Sequence, residues 1–377
     1  MPHFLSFLFA LLFASHSYGA ALPVPKAPAL AAKSYVLADF FSGHILAEKN
    51  VDARIEPASI TKIMTAYVIY QALQKGLVTR EDPVMVSEKA WRMGGSRMFL
   101  EAGDQVLLKE LLKGLIIQSG NDASVALAEH VAGSEEGFVS MMNAEAERLG
   151  MTGTHYVNST GMPEALHYTT AKDILSLTVA LIHDFPDEYK LYSQRSFVYN
   201  GITQSNRNRL LWMDKSVDGI KTGHTQSAGY CLAASAVRNG MRLISVVLGA
   251  DSDKMRTSQS RSLLNYGFRF YETRQLYSKA QKLADAHVWK GAEREVALGL
   301  DQDLFVTIPR GQYEQLNAKL DRPKILQAPV TAGQSVGSVM LTLNNNEILK
   351  APLVALNAVE EGGFFRRMID NVLLMLE

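Results

Sequence analysis

The sequence holds one cysteine in 377 residues, Cys231, and no excess charge of either sign: 38 basic residues stand against 38 acidic ones. A single thiol excludes an internal disulfide framework and any cysteine-based metal cluster. Balanced charge leaves no electrostatic footprint for nucleic acid and none for a strongly acidic partner. Cys231 follows a glycine-rich turn in "GYCLAASAV" and reads as a small buried strand residue, not a redox centre. Long apolar runs are also missing, with one exception. "MPHFLSFLFALLFASHSYGA" is apolar from Phe4 to Ala14, then small and polar up to Ala21. That run is short for a bilayer span, so residues 1–21 read as a secretory signal and the mature chain as exported.

What is present falls into segments of different texture. Residues 22–33 contain "LPVPKAPAL", a proline-rich extended leader. "KSYVLADFFSGHILAEKN" alternates into a hairpin turned at Ser42-Gly43. Helical periodicity then dominates to about Gly137: one helix from Ser59 to near Gly76, a second over "LLKELLKGLIIQ", a third over "DASVALAEHVAG". "EGFVSMMNAEAERLG", closed by Gly150, and "YTTAKDILSLTVALIHDF", with Thr170 as N-cap, are two more. Strand signals return at "RSFVYNGI" and are strongest in "AGYCLAASAVRNGMRLISVVLGA", where Asn239-Gly240 makes a tight hairpin. A last helix, "SQSRSLLNYGFRFYE", closes the unit. Strands at both ends of a helical middle predict an α+β domain over residues 34–272, with helices on an antiparallel sheet.

Residues 273–360 change to short alternating runs punctuated by glycine, proline and "NNN", the pattern of a small all-β sandwich. This segment carries no nucleophile, metal cluster or phosphate loop, and reads as a spacer or docking module. Residues 361–377, "EGGFFRRMIDNVLLMLE" without its neighbours, place Phe364, Phe365, Met368, Ile369, Val372, Leu373 and Leu376 on one helix face. Arg366, Arg367, Asp370 and Asn371 lie opposite. The pattern fits an interfacial membrane helix, and equally a terminal helix packed on its own domain or paired in a dimer.

Chemistry is concentrated in three short elements. Ser59 and Lys62 lie one helical turn apart in "PASITKIMT", at the start of a predicted helix. Alone, the pair is a helix cap beside a solvated lysine, and about one such match arises by chance in a chain of this length. Ser119-Gly120-Asn121 follows between two predicted helices, where Asn121 could also cap the helix beginning at Asp122. Lys221-Thr222-Gly223 follows at the start of a strand expected to pair through the Asn239-Gly240 hairpin. A serine hydroxyl needs a base, and lysine serves only when burial or a second positive charge favours its neutral form. Lys221 would supply that charge, Ser119 would relay a proton to the leaving amine, and Asn121 would hold the substrate amide. The backbone N–H groups of Ser59 and His224, in the field of the helix N-terminus, would form an oxyanion hole. Thr222, with the Lys221 charge, suits a substrate ending in a free carboxylate.

Serine-x-x-lysine, serine-x-asparagine and lysine-threonine-glycine, in this order, resemble the signature of penicillin-binding proteins and serine β-lactamases. "SYVLADFFSGHILAEKN", "QSGNDASVALAEHVAGS", "VDGIKTGHTQSAGYCLAASA", "GFRFYET" and "TIPRG" extend the resemblance over nearly the whole mature chain. They look like the D-alanyl-D-alanine carboxypeptidases of the penicillin-binding protein five and six type. That resemblance implies a transpeptidase-like domain on a β-rich stalk, attached peripherally to the outer face of the cytoplasmic membrane, in the periplasm. It implies removal of the terminal D-alanine from peptidoglycan pentapeptides through an acyl-enzyme, with β-lactams acylating the same serine and no metal or cofactor. Ser59 is then the nucleophile, Lys62 the base and Ser119 the relay; Asn121, Lys221, Thr222, Gly223 and His224 bind substrate. Arg256, in "DKMRTSQSR", matches an arginine placed near the substrate carboxylate. "AWRMGGSRMFLEAG" looks shorter than the corresponding loop of such relatives.

Two alternatives belong beside this reading. A class A-like β-lactamase needs a water-activating glutamate in an E-x-x-L-N pattern. Here "PEALHY" sets Glu164 one residue too close to its leucine, and His167 stands in place of the asparagine. A catalytically inactive wall-binding homologue is the other, against which the intact serine and lysines argue.

Overall fold

The computed structural model describes residues 24–375. The expected signal segment, residues 1–21, lies outside them. The first domain is built on a five-stranded antiparallel sheet in the spatial order Ile45–Lys49, Ser34–Asp39, Met241–Ala250, Gly229–Arg238, Val217–Thr225. Its side chains alternate between two cores, as a pleated strand requires. In Gly229–Arg238, Cys231 and Ala233 face the core shared with helices Lys62–Gln74, Asn121–Ala132 and Ala171–Asp184. Leu232, Ala234 and Ala236 face the other, where helix Asp253–Phe270 contributes Leu263, Leu264 and Phe268. The sheet is therefore covered on both faces. Burial pushes the Cys231 thiol up to about 11, as suits a strand residue with no redox part.

The local signals act as their chemistry dictates. Thr170 Oγ1 accepts the Asp173 N–H at 3.0 Å and opens Ala171–Asp184. Gly150, at φ +70°, follows helix Glu135–Arg148, and the next N–H, of Met151, returns to Ala146 O at 2.8 Å. Asn239 and Gly240 have φ of 51° and 80°, the pair of positive values a two-residue hairpin turn needs. Asn200-Gly201 repeats that device between Ser196–Tyr199 and Ile202–Ser205, so "RSFVYNGI" is the first half of a hairpin. The region to Gly137 is not wholly helical. Pro83–Met85 and Gln105–Leu107 pair as a hairpin too short to show a period of two. The helix over "LLKELLKGLIIQ" holds α geometry only through Lys113 and continues as a π turn, Gly114–Gln118. The proline-rich leader is packed down: Val24, Ala27 and Leu30 lie against the outer core, and Tyr266 Oη donates to Pro25 O at 3.1 Å.

The second domain is all β. A six-stranded sheet and the antiparallel pair Tyr271–Tyr277/Leu304–Pro309 enclose one core centred on Val288, Leu298, Val339, Leu341 and Leu353. It meets the first domain through polar and aromatic contacts. Thr273 Oγ1 donates to Asp39 Oδ2 at 2.7 Å, Ser42 Oγ lies 2.6 Å from Thr307 Oγ1, and Phe41 stacks on Phe305. The last helix, Phe364–Leu374, does not bury its apolar face on this domain. Phe364, Phe365, Met368, Ile369, Val372 and Leu373 are exposed, whereas Asp370 Oδ2 accepts the Lys290 N–H at 2.6 Å and Arg367 pairs with Glu361. Its polar side is tied to the protein. The helix therefore sits on its own domain by its polar side, without the burial of its apolar face that packing there would give.

Candidate active site

Ser59 does not cap a helix. It lies half-buried on a 3-10 turn, Ala58–Thr61, with no side-chain cap, and the Ile60 N–H is engaged by Pro57 O at 3.1 Å. The α-helix begins at Lys62, so the serine projects from the turn instead of folding back on it. Lys62 is fully buried and its Nζ has three neighbours: Asn121 Oδ1 at 2.6 Å, Thr160 O at 2.7 Å and Ser59 Oγ at 3.1 Å. Burial brings the Lys62 ammonium down to about 7, the Asp122 carboxylate opposing the shift. A neutral amine has two N–H donors and one lone pair. Asn121 and Thr160 are acceptors for the two donors, and the lone pair is left for the Ser59 hydroxyl.

Asn121 is the first residue of its helix and caps nothing; Gly120 is the N-cap residue, and Asn121 Nδ2 donates to Gly94 O at 2.7 Å. The side chain is thereby fixed between the 94–96 loop and Lys62. Ser119 sits at φ +67°, 4% exposed, at the end of the π turn. That turn and the left-handed backbone of Ser119 itself place its side chain on the cleft wall.

Lys221-Thr222-Gly223 lies within the strand Val217–Thr225, not at its start. The Asn239-Gly240 hairpin joins the next two strands inward, so the triplet's strand forms the sheet edge facing the Ser59 turn. Contact there is close: a Cβ on Gly223 would stand 2.9 Å from Pro57 O and 3.1 Å from Ser59 N. Lys221 is buried, its own pKa held well below the usual lysine range by burial and then by the charges of Lys62, Arg256 and Arg207. The cleft, of about 680 Å³, is lined by Ser59, Ser119, Thr222, Gly223, His224 and Arg256 among others, with Lys62 and Lys221 beneath it. His224 is exposed at the rim and stacks on Tyr230 at 4.0 Å. Arg256 reaches the cleft, but its Nη1 donates to Gly223 O at 2.9 Å and its Nη2 pairs with Asp253 at 2.5 Å. It braces the edge strand.

Sequence reasoning missed the second layer. Asp122 is fully buried and accepts the backbone N–H groups of Met98, Phe99 and Leu100, holding the loop that forms the cleft wall. Gly161, at φ +84°, lets the 158–162 turn press on the Ser59 turn, since a Cβ there would lie 1.8 Å from Ala58 O. That approach aims Thr160 O at Lys62. His167, 2% exposed, receives the Val157 N–H on Nδ1 at 3.2 Å, so its proton resides on Nε2, which donates to Thr61 Oγ1 at 2.8 Å. Burial lowers its pKa to about 4, keeping the ring neutral. Single buried polar residues leave no periodic trace, and only the odd "PEALHY" spacing pointed here. Glu164 is exposed and lines a separate cavity with Arg54 and Tyr168, away from Ser59.

Comparison with known proteins agrees with this geometry. Residues 23–252 match the D-alanyl-D-alanine carboxypeptidase family, and residues 271–361 match the penicillin-binding protein 5 C-terminal domain. The chain is 46% identical over 375 residues to the D-alanyl-D-alanine carboxypeptidase DacC of Escherichia coli (strain K12), covering 97% of this chain and 93% of that protein. Among solved structures, penicillin-binding protein 5 from Haemophilus influenzae superposes with a TM-score of 0.87 at 40% identity, over 89% of this chain and 100% of that one. Penicillin-binding protein D2 from Listeria monocytogenes, solved in an ampicillin-bound form, superposes with a TM-score of 0.60 at 27% identity, over 65% of this chain and 100% of that one. The match spans both domains, and the chain belongs to the D-alanyl-D-alanine carboxypeptidase family of penicillin-binding proteins.

Proposed function

We propose that Ser59 is the nucleophile of a serine-type D-alanyl-D-alanine carboxypeptidase acting on peptidoglycan pentapeptide stems. The observation that carries this reading is the three-way setting of Lys62, whose two acceptors leave a lone pair for Ser59. Ser59 Oγ attacks the carbonyl of the penultimate D-alanine as its proton passes to Lys62 Nζ. The tetrahedral oxyanion is held by the N–H groups of Ser59 and His224. The C–N bond then breaks, and a proton relayed through Ser119 leaves with the terminal D-alanine. Water hydrolyses the ester and restores the hydroxyl. Thr222, Lys221 and Arg256 receive the substrate carboxylate, and Asn121 orients its amide. A β-lactam acylates Ser59 by the same attack, its amide opening within the ring.

D-Alanine release from a diacyl-Lys-D-Ala-D-Ala peptide tests the activity. Mass spectrometry after penicillin treatment is expected to show one adduct, lost in Ser59→Ala with the melting temperature nearly unchanged. Labelling that survives the substitution removes Ser59 from the mechanism. Glu164 lies outside the cleft, which supports a long-lived acyl-enzyme; rapid penicillin turnover without D-alanine release would restore the β-lactamase reading.

The same reading divides the chain into a signal (1–21), a leader (22–33), a catalytic domain (34–272), a β domain (273–360) and an anchoring helix (361–377). The exposed apolar face of Phe364–Leu374 supports peripheral attachment to the outer face of the inner membrane. No helix among the described residues is long and apolar enough to cross a membrane.

A further inference from the structure

Two stretches singled out in the sequence, "GFRFYET" and "TIPRG", contribute no residue to the cleft. Folding brings them together. Helix Asp253–Phe270 ends in the first, strand Leu304–Pro309 ends in the second, and the Asn239-Gly240 turn lies beside both. Between them is a cavity of about 390 Å³ lined by Arg238, Asn239, Asn265, Phe268, Arg269 and Arg310. Three guanidinium groups from three chain segments reach it, and no carboxylate among the described residues lines it.

The three arginines are not equivalent. Arg238 is already paired, with Asp214 at 2.6 Å and Asn265 Oδ1 at 3.0 Å. Arg310 Nη2 donates to Phe268 O at 2.9 Å and Tyr271 O at 2.8 Å, which holds its fork at the helix end with Nη1 and Nε uncommitted. Arg269 rests over the Phe270 ring at 5.4 Å and has no carboxylate within ion-pair distance among the described residues. Strand Gly229–Arg238 runs from the cleft at Tyr230 to this cavity at Arg238, a span of roughly 26 Å for an extended strand. The cavity is thus a separate place, at the junction of the two domains.

We propose that this junction cavity binds a phosphate group. One guanidinium fork satisfies a carboxylate, whereas a tetrahedral phosphate directs its acceptor oxygens to several forks at once. The volume lies at the small end of the range for ligand sites, which occur preferentially between domains. Asn239 and Asn265 add amide donors, and Phe268 forms an apolar wall. Two unneutralised guanidinium groups supply the charge, one from the catalytic domain and one from the β domain, so the bound anion bridges them. The phosphate comes either from a free phosphate or small ester, or from a lipid headgroup. The site is independent of the reaction at Ser59.

Calorimetric titration of inorganic phosphate into the full chain, in phosphate-free buffer, tests the proposal. Saturable binding is expected, weakened about tenfold or more by Arg269→Ala, abolished by Arg269→Glu, and reduced by added salt. Arg269 makes no bond that holds the fold, so both variants are expected to fold and to label with penicillin at Ser59 like the parent. Absence of saturable binding, or binding indifferent to both substitutions, overturns the site. A parallel titration with soluble short-chain phosphatidylglycerol separates the sources. Binding about tenfold tighter than phosphate and dependent on Arg269 identifies a lipid headgroup; equal or weaker binding identifies free phosphate.

Discussion

Lys62 has no carboxylate in contact with its nitrogen, only two carbonyl-type oxygens and a hydroxyl. Burial, and not the Lys221 charge expected from the sequence, sets its proton affinity at about 7, with the Asp122 carboxylate opposing the shift. The neutral form is the reactive one, and protonation fills the lone pair that Ser59 needs, so acylation falls as pH drops through that value. Stopped-flow labelling with a fluorescent penicillin is expected to lose about tenfold per pH unit below this limb and to level off above it. A profile without that limb would remove Lys62 as the base. His167 acts one step back, through Thr61, as a positioning residue. His167→Asn and Thr61→Val break the same hydrogen bond. Each is expected to slow acylation about tenfold, and the double variant no further, because the two share one interaction. Additive losses would mean that the bond has no part in aligning the turn.

Ser59 and Lys62 are carried by one turn, Asn121 by a helix start and Gly223 by a sheet edge; the cleft exists because these elements touch. The edge strand approaches the Ser59 turn so closely that Gly223 has no room for a methyl group. Gly223→Ala is expected to cut acylation about a hundredfold, since a displacement near 1 Å suffices for that. Its melting temperature should change little, because the shift is confined to an edge strand. Unaltered labelling would show that the strand is free to move aside. Arg256 belongs to this level as well, as a brace between Gly223, Cys231 and Asp253.

The molecule as a whole is a catalytic domain, a β domain and a helix whose apolar face is turned outward. Phe365 and Ile369 are 75% and 57% exposed and make no side-chain hydrogen bond. Replacing both with aspartate removes apolar area from the proposed anchor without touching the Asp370 bond to Lys290. The variant is expected to move from the membrane pellet to the soluble fraction after cell breakage, with peptide hydrolysis unchanged. Retention in the pellet would assign attachment to another segment.

The sequence alone determined a great deal, because the relevant signals are local. Thr170, Gly150 and Asn239-Gly240 act through bonds and φ angles within a few residues, and the near-continuous apolar run in "GYCLAASAV" suits a strand covered on both faces. The three elements that meet at the cleft were legible because their order and residue types are constrained by chemistry. Only the tertiary structure decided how they meet. Ser59 leaves its expected capping role because it lies inside a 3-10 turn, which Gly161 and Gly223 both approach closely, and the α-helix begins only at Lys62. Lys221 lies mid-strand because the sheet edge, not the hairpin, faces the turn. Asp122, Thr160 and His167 gain their parts from partners 10 to 106 positions away, through long-range contacts that no local pattern encodes.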